Sequence, residues 1–535
     1  MQNERSIFSK IIYIFIGLFL FISLIYPVTC VVVNVSWTEF GKLVSSSLFK
    51  TSLTNSVIVS FIGMLISVFI AYILAFAINR ANIKCKKLIS IIVTLPMLIP
   101  SISHGIGLIN LFGSNGIFTT MLGIDFNIMG INGVIIGSIL YSFPVAFLLL
   151  VDAFKYIDNS LYESAEVLGL NKWQKFCKIT LYYMKKPLLS ACFAIFTMIF
   201  TDYGVPIAVG GRFDTLPVFL YREVIGLLDF SKGAMIGVFL LIPALISFIF
   251  DFFNKEVQGN NTFNKEYIIK KNRIRDISIS IFIFIIIAFL LSLFGSFIYL
   301  AFVNNYPYDN SFSLVHFEYI LNNKVYEFLF NSILISILTA LFGTIFAYFT
   351  AYITARLEKK INKVFHIFAI SSLAVPGIFL GLSYIFAFND TFIYHTFLII
   401  IMVNIVHFFA SPYLMAYNAL GKLNKNYEVV GLTCGSNRFR IIRDVIIPSS
   451  KDTILEMISY FFVNSMITIS AVSFLFNTDI MPISLLINQY EGQLMYEESA
   501  IISITILFIN LLFKFVISIL KKYLNRRKIY EVNQK

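Results

Sequence analysis

Charge is scarce in this chain. Asp, Glu, Lys and Arg make up 13 % of 535 residues against 58 % hydrophobic residues, and the mean hydropathy is +0.84. That balance excludes a string of ordinary soluble domains and indicates a polytopic membrane protein. Cysteine is scarce too. The five, Cys30, Cys85, Cys177, Cys192 and Cys434, form no disulfide framework, and metal-ligand spacing is absent. No G-x-x-x-x-G-K-[ST] loop occurs, because Gly41-Lys42 and Gly421-Lys422 lack both the first glycine and the following Ser or Thr. The chain therefore does not cradle ATP phosphates in that way. Without a nucleophilic or acid–base constellation either, it is expected not to be an enzyme.

What it has is apolar runs of about 20 residues, each long enough as a helix to cross a hydrocarbon core of about 30 Å. Twelve spans are predicted, near 11–33, 54–79, 88–113, 127–152, 188–209, 231–253, 277–303, 330–355, 364–388, 393–419, 453–477 and 499–521. The first is too long for a signal-peptide core and has no cleavage site after it, so it is expected to stay as an anchor. With the amino terminus in the cytosol, only Lys42, Lys50, Arg212, Arg222, Lys232 and Lys324 of the 41 basic residues face outward. The bias supports the topology as well as the orientation, with both termini cytosolic in a bacterial cell membrane. The net charge of +12 is thus lipid anchoring; no basic-aromatic surface suited to nucleic acid is present.

The chain also repeats itself. Asn55-Ser56 pairs with Asn331-Ser332, Ala71-Tyr72 with Ala347-Tyr348, Arg80 with Arg356, Pro100 with Pro376, Gly105 with Gly381 and Pro144 with Pro412. An ordered, slowly drifting offset marks a duplicated unit, and the even number of intervening spans gives both copies one orientation. The expected organisation is an anchor helix and external loop (1–50), a first transmembrane half (51–253), a cytosolic linker (254–276), a seventh helix and external loop (277–326), a second half (327–520) and a basic tail (521–535).

After the fourth span of each half comes a polar segment, "LYESAEVLGLNKWQKFCKITLY" (161–182) and "YEVVGLTCGSNRFRIIRDVIIP" (427–448). In the first, Gly169 suits a helix-ending turn with positive φ, and Asn171 with Gln174 suits a capping box. Trp173, Phe176, Cys177 and Thr180 then fall at i, i+3, i+4 and i+7, one helical face. In the second, Gly435 takes the turn, Ser436 or Asn437 the cap, and Phe439, Ile442 and Ile446 the stripe. Each copy reads as a cytosolic helix–turn–helix whose apolar face no membrane covers, and two gapless copies suit a two-fold partner.

The stretch "ESAEVLG" with the later hydrophobic run resembles the EAA loop of ABC-importer permeases, the coupling element that sits in a groove of the ATPase subunit. The match covers Glu163, Ala165, Leu168 and Gly169, with Trp173 and Phe176 beyond. In the second copy Gly431, Gly435 and Pro448 fit, Cys434 replaces leucine, and Val429 takes the acidic position beside Glu428. Phe439 and Ile442 complete its expected contact face. "TDYGVPIAVGGRFDTLPVFLYRE" (201–223) and "NSMITISAVSFLF" (464–476) look like the fused permeases of the ferric-iron, thiamine and 2-aminoethylphosphonate group. The resemblance implies an all-α integral membrane protein of about twelve helices in two parallel six-helix repeats, the type I importer fold. It further implies two copies of an ABC ATPase that binds ATP and Mg, an external substrate-binding (lipo)protein, and a small solute as cargo, ferric iron first. This chain itself is expected to hold no cofactor and no metal.

Among intramembrane ionisable residues, His104 and His407 suit interhelical hydrogen bonds, while Asp202, with Tyr203 beside it, is a candidate for the translocation path. A twelve-helix secondary transporter would show embedded acids and a G-x-x-x-D-R-x-G-R-like loop after the second span, where this chain has "RANIKCKK". A lipid-modifying membrane enzyme would need an acid, histidine or metal cluster, and none is seen.

Overall fold

Small side chains recurring along one helical face set the helix packing. On the helix Ser47–Arg80, Ser56, Ser60, Gly63, Ser67 and Ala71 face inward, while Phe61, Leu65 and Phe69 on the other side are exposed. Small residues let helix backbones approach where lipid gives no hydrophobic drive between them. The inward stripe meets the helix Ile131–Lys155, where Ser67 and Ser142 share a hydrogen bond of 2.9 Å, and the helix Tyr182–Phe200, where a Cβ on Gly63 would lie 2.8 Å from Ile199. The helix Val325–Arg356 repeats the device with Ser332, Ser336, Gly343 and Ala347. These facts come from a computed structural model that describes residues 12–533 except 156, 255–266, 270, 358–359 and 425. The linker position Asn260, expected in the cytosol, lies outside the described residues.

The described residues are helical almost throughout, with one short antiparallel pair among them, Val303–Asn305 and Asp309–Phe312. Among the described residues nine helices are long and apolar enough to span a membrane, and eleven spans result if two bent pairs are counted as one each. Several of the twelve expected spans are not single straight helices. The span near 364–388 is a pair, Asn362–Ala374 and Gly377–Phe388, bent by 112°. Its counterpart near 88–113 is likewise broken, between Leu95–Leu98 and Ser101–Phe112. Pro376 and Pro100 are the cause, since the residue before proline leaves the α region; Val375 and Ile99 are both extended. The eleventh span is helical only over Lys451–Ile467, 17 residues, and the fifth is the end of a longer run, Lys172–Phe200, that stops before Thr201. The last helix, Tyr496–Asn533, runs on into the basic tail.

The first helix of each half packs on the other half. Phe19, on the span Ile12–Val33, stacks on Phe346 at 3.9 Å, and Tyr384 donates to the Ser23 carbonyl at 2.7 Å. Conversely, Arg273–Ala301 lies against Ser101–Phe112, where a Cβ on Gly107 would meet Leu293 at 2.9 Å. The final helix crosses as well, through Ser503 to Ser103 (2.8 Å) and Asn510 to the Leu98 carbonyl (2.9 Å).

The repeated Asn-Ser pairs explain themselves as loop anchors. Asn55 donates to the Asp214 carbonyl (2.9 Å) and Ser56 accepts from the Leu216 amide (2.7 Å). Asn331 donates to the Asp479 carbonyl (2.8 Å) and Ser332 accepts from the Ile483 amide (2.7 Å). Duplicated sequence thus gives duplicated geometry, bond for bond.

Candidate functional site

Each polar segment folds as a short helix, a glycine turn and a second helix that enters the next span. In the first, the Asp158 side chain caps Asn159–Val167 by accepting from the Ser160 amide at 2.9 Å. The chain then reverses at Gly169 (φ +72°), with Gly169 N–H donating to the Glu166 carbonyl (3.1 Å) and Leu170 N–H to that of Ala165 (3.0 Å). In the second, Gly435 (φ +79°) donates to Leu432 at 3.1 Å and Ser436 to Gly431 at 3.0 Å. Both are Schellman closures, in which the glycine supplies the left-handed residue. The capping box forms as expected, Gln174 N–H to Asn171 Oδ1 (2.8 Å) and Asn171 N–H to Gln174 Oε1 (3.0 Å). In the second copy the cap is Asn437, which accepts from the Arg440 amide at 2.8 Å; Arg440 offers no acceptor to close a box.

The exposed face differs from the expected stripe. Val167, Leu168 and Trp173 are 89, 77 and 71 % exposed, and Trp173 stacks on the half-buried Phe176 at 5.6 Å. Tyr427, Val429, Val430 and Phe439 are the exposed set of the second copy. Ile442 and Ile446 are buried within the chain, so their assignment to a docking face is corrected; Thr180 is buried too and hydrogen-bonds Tyr162 (2.7 Å). The reason is local. Phe176–Leu181 and Ile442–Ile446 are π-helical turns, which rotate the following residues off the 3.6-residue register. Ala165 is buried, and Gly431 in the equivalent place packs under Ile441, where a Cβ would come within 2.7 Å.

The two segments are held by different chemistry. In the second, Arg356 is buried at the end of its helix and takes both carboxylate oxygens of Glu428, the Nε–Oε1 contact being 2.7 Å. It also donates to the carbonyls of Leu420 and Asn424 at 3.1 and 3.0 Å. In the first, tyrosine stands where Glu428 stands. Arg80 lies 3.9 Å above the Tyr267 ring and 5.4 Å from that of Tyr162, and donates to the Phe154 carbonyl at 3.3 Å. Tyr267 meets Tyr162 edge-on at 5.1 Å, and the Ile268 amide donates to Asn159 Oδ1 at 3.3 Å. Burial pushes the Tyr162 phenol up, opposed by the Thr180 hydrogen bond and the Arg80 charge. Glu163, the acid in the family's frame, is exposed and accepts from Asn159 Nδ2 at 2.8 Å. The sequence flagged Arg80 and Arg356 only as repeats; Tyr267, in the linker, gave no signal.

At the far ends of the bundle the halves meet at Tyr203. It is fully buried, accepts from Asn488 Nδ2 at 3.1 Å across the seam, and packs on Tyr221 (4.6 Å), which stacks on Phe474. Asp202 accepts the amides of Val205 (3.0 Å) and Gly204 (3.4 Å) at the start of Gly204–Val209 and also bonds the Ser101 side chain. His104 Nδ1 stays within its own helix, 3.2 Å from the Ser101 carbonyl, in place of the expected interhelical bond.

Two equivalent half-bundles with crossed first helices, each presenting an exposed helix–turn–helix on the linker side, define a duplicated membrane permease. The model of the binding-protein-dependent transport system inner membrane component matches residues 63–258 and again 343–530, and the chain belongs to that family. It is an integral inner-membrane protein of an ATP-binding-cassette importer, and the family works with a substrate-binding protein and an ATPase. The chain is 25 % identical over 515 residues to the ferric transport system permease protein FbpB of Actinobacillus pleuropneumoniae, covering 90 % of this chain and 73 % of that one. A putative ferric transport system permease, FbpB 1 of Haemophilus influenzae, is 25 % identical over 510 residues, covering 90 and 79 %. The thiamine transport system permease ThiP of Haemophilus influenzae is 24 % identical over 194 residues, covering 35 and 36 %.

Proposed function

We propose that residues 161–182 and 427–448 are paired coupling levers, each seated in one of two ATPase subunits, with both termini and the linker in the cytosol. The observation that carries this is the duplicated, glycine-reversed helix pair with an exposed apolar face, recurring 266 positions apart from Gly169 to Gly435. Closure of an ATP-bound dimer would move both levers and bias the halves between inward and outward access, as a ligand with differential affinity must. ATP and Mg would be bound by the partner alone. The cargo supported best is ferric iron, delivered by an external binding protein, because the two relatives that span 90 % of this chain are ferric permeases.

The test uses the chain assembled with its ATPase and binding protein in vesicles. Gly169→Ala strains a left-handed residue at a cost of about 1 kcal/mol, and Trp173→Asp charges the exposed face. Either variant should insert normally but lose most ATP-dependent uptake. Uptake equal to the parent in both would remove the coupling role. Thiamine uptake without iron uptake would leave the levers intact and reassign the cargo.

A further inference from the structure

A groove of about 720 Å³ lies between the turn that follows Ser47–Arg80 and the start of the helix Arg273–Ala301. One wall is Asn82, Ile83 and Lys84; the other begins with Lys271, Arg273 and Asp276. The chain is pinned across it, since the Asn82 amide donates to Asp276 Oδ1 at 3.4 Å. The charges in it are unequal. Asp276 is already engaged by the Arg275 guanidinium (2.9 and 2.7 Å) and the Asn272 amide (3.1 Å). Lys86 is turned away, donating to the Ile78 carbonyl at 2.7 Å. Lys84, Lys271 and Arg273 are exposed and have no ion-pair partner among the described residues. Three cations therefore converge on a space whose single acid is neutralised.

Below them the wall changes character. Ile277, Ile281 and Phe284 continue the groove along one helical face at 50, 56 and 71 % exposure. Cations at a helix start, followed by an apolar stripe along the same helix into the membrane-spanning segment, complement an anionic phosphate with hydrocarbon attached. Basic pockets between spanning helices hold such headgroups, at about 1 kcal/mol per Lys or Arg near the surface.

We propose that this groove binds an anionic phospholipid, its phosphate among Lys84, Lys271 and Arg273 and its acyl chain along Ile277, Ile281 and Phe284. The site joins the first half's second span to the second half's first span, so the lipid bridges the two halves beside the linker. The test is native mass spectrometry of the full chain with its ATPase, released from micelles holding equal phosphatidylglycerol and phosphatidylcholine. The parent should retain phosphatidylglycerol about fivefold or more over phosphatidylcholine. The preference should vanish in the triple variant K84A/K271A/R273A and persist in K84R/K271R/R273K. Phe284→Asn should lower retention of both lipids with the selectivity unchanged. Equal retention of the two lipids by the parent overturns the proposal, and so does an undiminished preference in the triple alanine variant. Displacement of the lipid by millimolar glycerol phosphate would assign the cations to a soluble anion and overturn it as well. Should the alanine variant fail to assemble, the parent's lipid ratio and Phe284→Asn decide alone.

Discussion

Glu428 grips Arg356 with both carboxylate oxygens, and the residue that stands in its place in the other half, Tyr162, instead closes on Arg80 through ring faces. The buried arginine at the foot of each long helix is thus met by a carboxylate in one repeat and by tyrosine rings in the other. Breaking the buried pair from one side leaves an uncompensated guanidinium, which costs about 3 kcal/mol or more. Glu428→Ala should therefore lower the thermal midpoint of the purified complex by several degrees, and Glu428→Gln by less. Glu163→Ala, at an exposed site, should leave the midpoint unchanged while lowering ATP-driven uptake. Scanning calorimetry and uptake on the same preparations separate the two.

Tyr267 ties the linker to the first helix–turn–helix. Its ring covers Arg80 at 3.9 Å and abuts Tyr162, while the next amide bonds Asn159. A cation–aromatic contact that is largely desolvated is worth about 2 kcal/mol. Tyr267→Ala should loosen the Asn159–Val167 helix, seen as faster amide exchange there and not in Asn426–Thr433. Uptake should fall with ATPase binding retained, and Tyr267→Phe should restore both. Unchanged exchange in Tyr267→Ala would show that the linker only tethers the halves.

The loop between the last two spans should respond to pH through Glu491. Burial pushes its carboxyl up to about 7 from an ordinary 4.5. A raised folded-state value means the folded loop favours the protonated acid. The contribution of Glu491 is then fully present below about pH 4.5 and is lost as pH rises through about 7. Amide exchange over Ile483–Gly492, corrected for the intrinsic rate, should quicken between pH 5.5 and 8, and Glu491→Gln should flatten that rise. A parent profile as flat as the variant's would detach Glu491 from loop stability.

The levers were legible in sequence as far as one helical turn reaches. Gly169 and Gly435 have the expected positive φ, and Asn171 with Gln174 the expected box, because turn and cap chemistry is local. Projection beyond that turn failed at Ile442 and Thr180, since a π-turn is not encoded by apolar spacing. Spans were legible by their greasiness and their breaks were not, although Pro100 and Pro376 stood in plain view as repeats. Asp202 stood out by its charge in lipid, and its bonds to the Gly204 and Val205 amides and to Ser101 were not legible. What composition could not show at all was which half each terminal helix packs on, a matter of tertiary choice.

The last prediction concerns the seam opposite the levers. Tyr203 and Asn488 come from different halves and meet at 3.1 Å in a buried setting, so their bond exists only while the halves are closed there. Such a bond is worth about 1 kcal/mol net, roughly a fivefold change in an equilibrium between two arrangements. Tyr203→Phe removes the hydroxyl and keeps the ring against Tyr221. It should shift the population toward an opened seam by a few-fold. Spin labels at the exposed positions Arg212 and Gln493 would report this as a growing long-distance component in pulsed electron resonance. The long component should grow again when ATP analogue closes the partner ATPase, if levers and seam are coupled. Asn488→Ala should shift the seam in the same direction as Tyr203→Phe, and the double variant should add little to Tyr203→Phe, because the shared bond is already gone. Additive effects would mean that the two side chains act on the seam separately, and identical distance distributions in all four proteins would show that the seam does not open there.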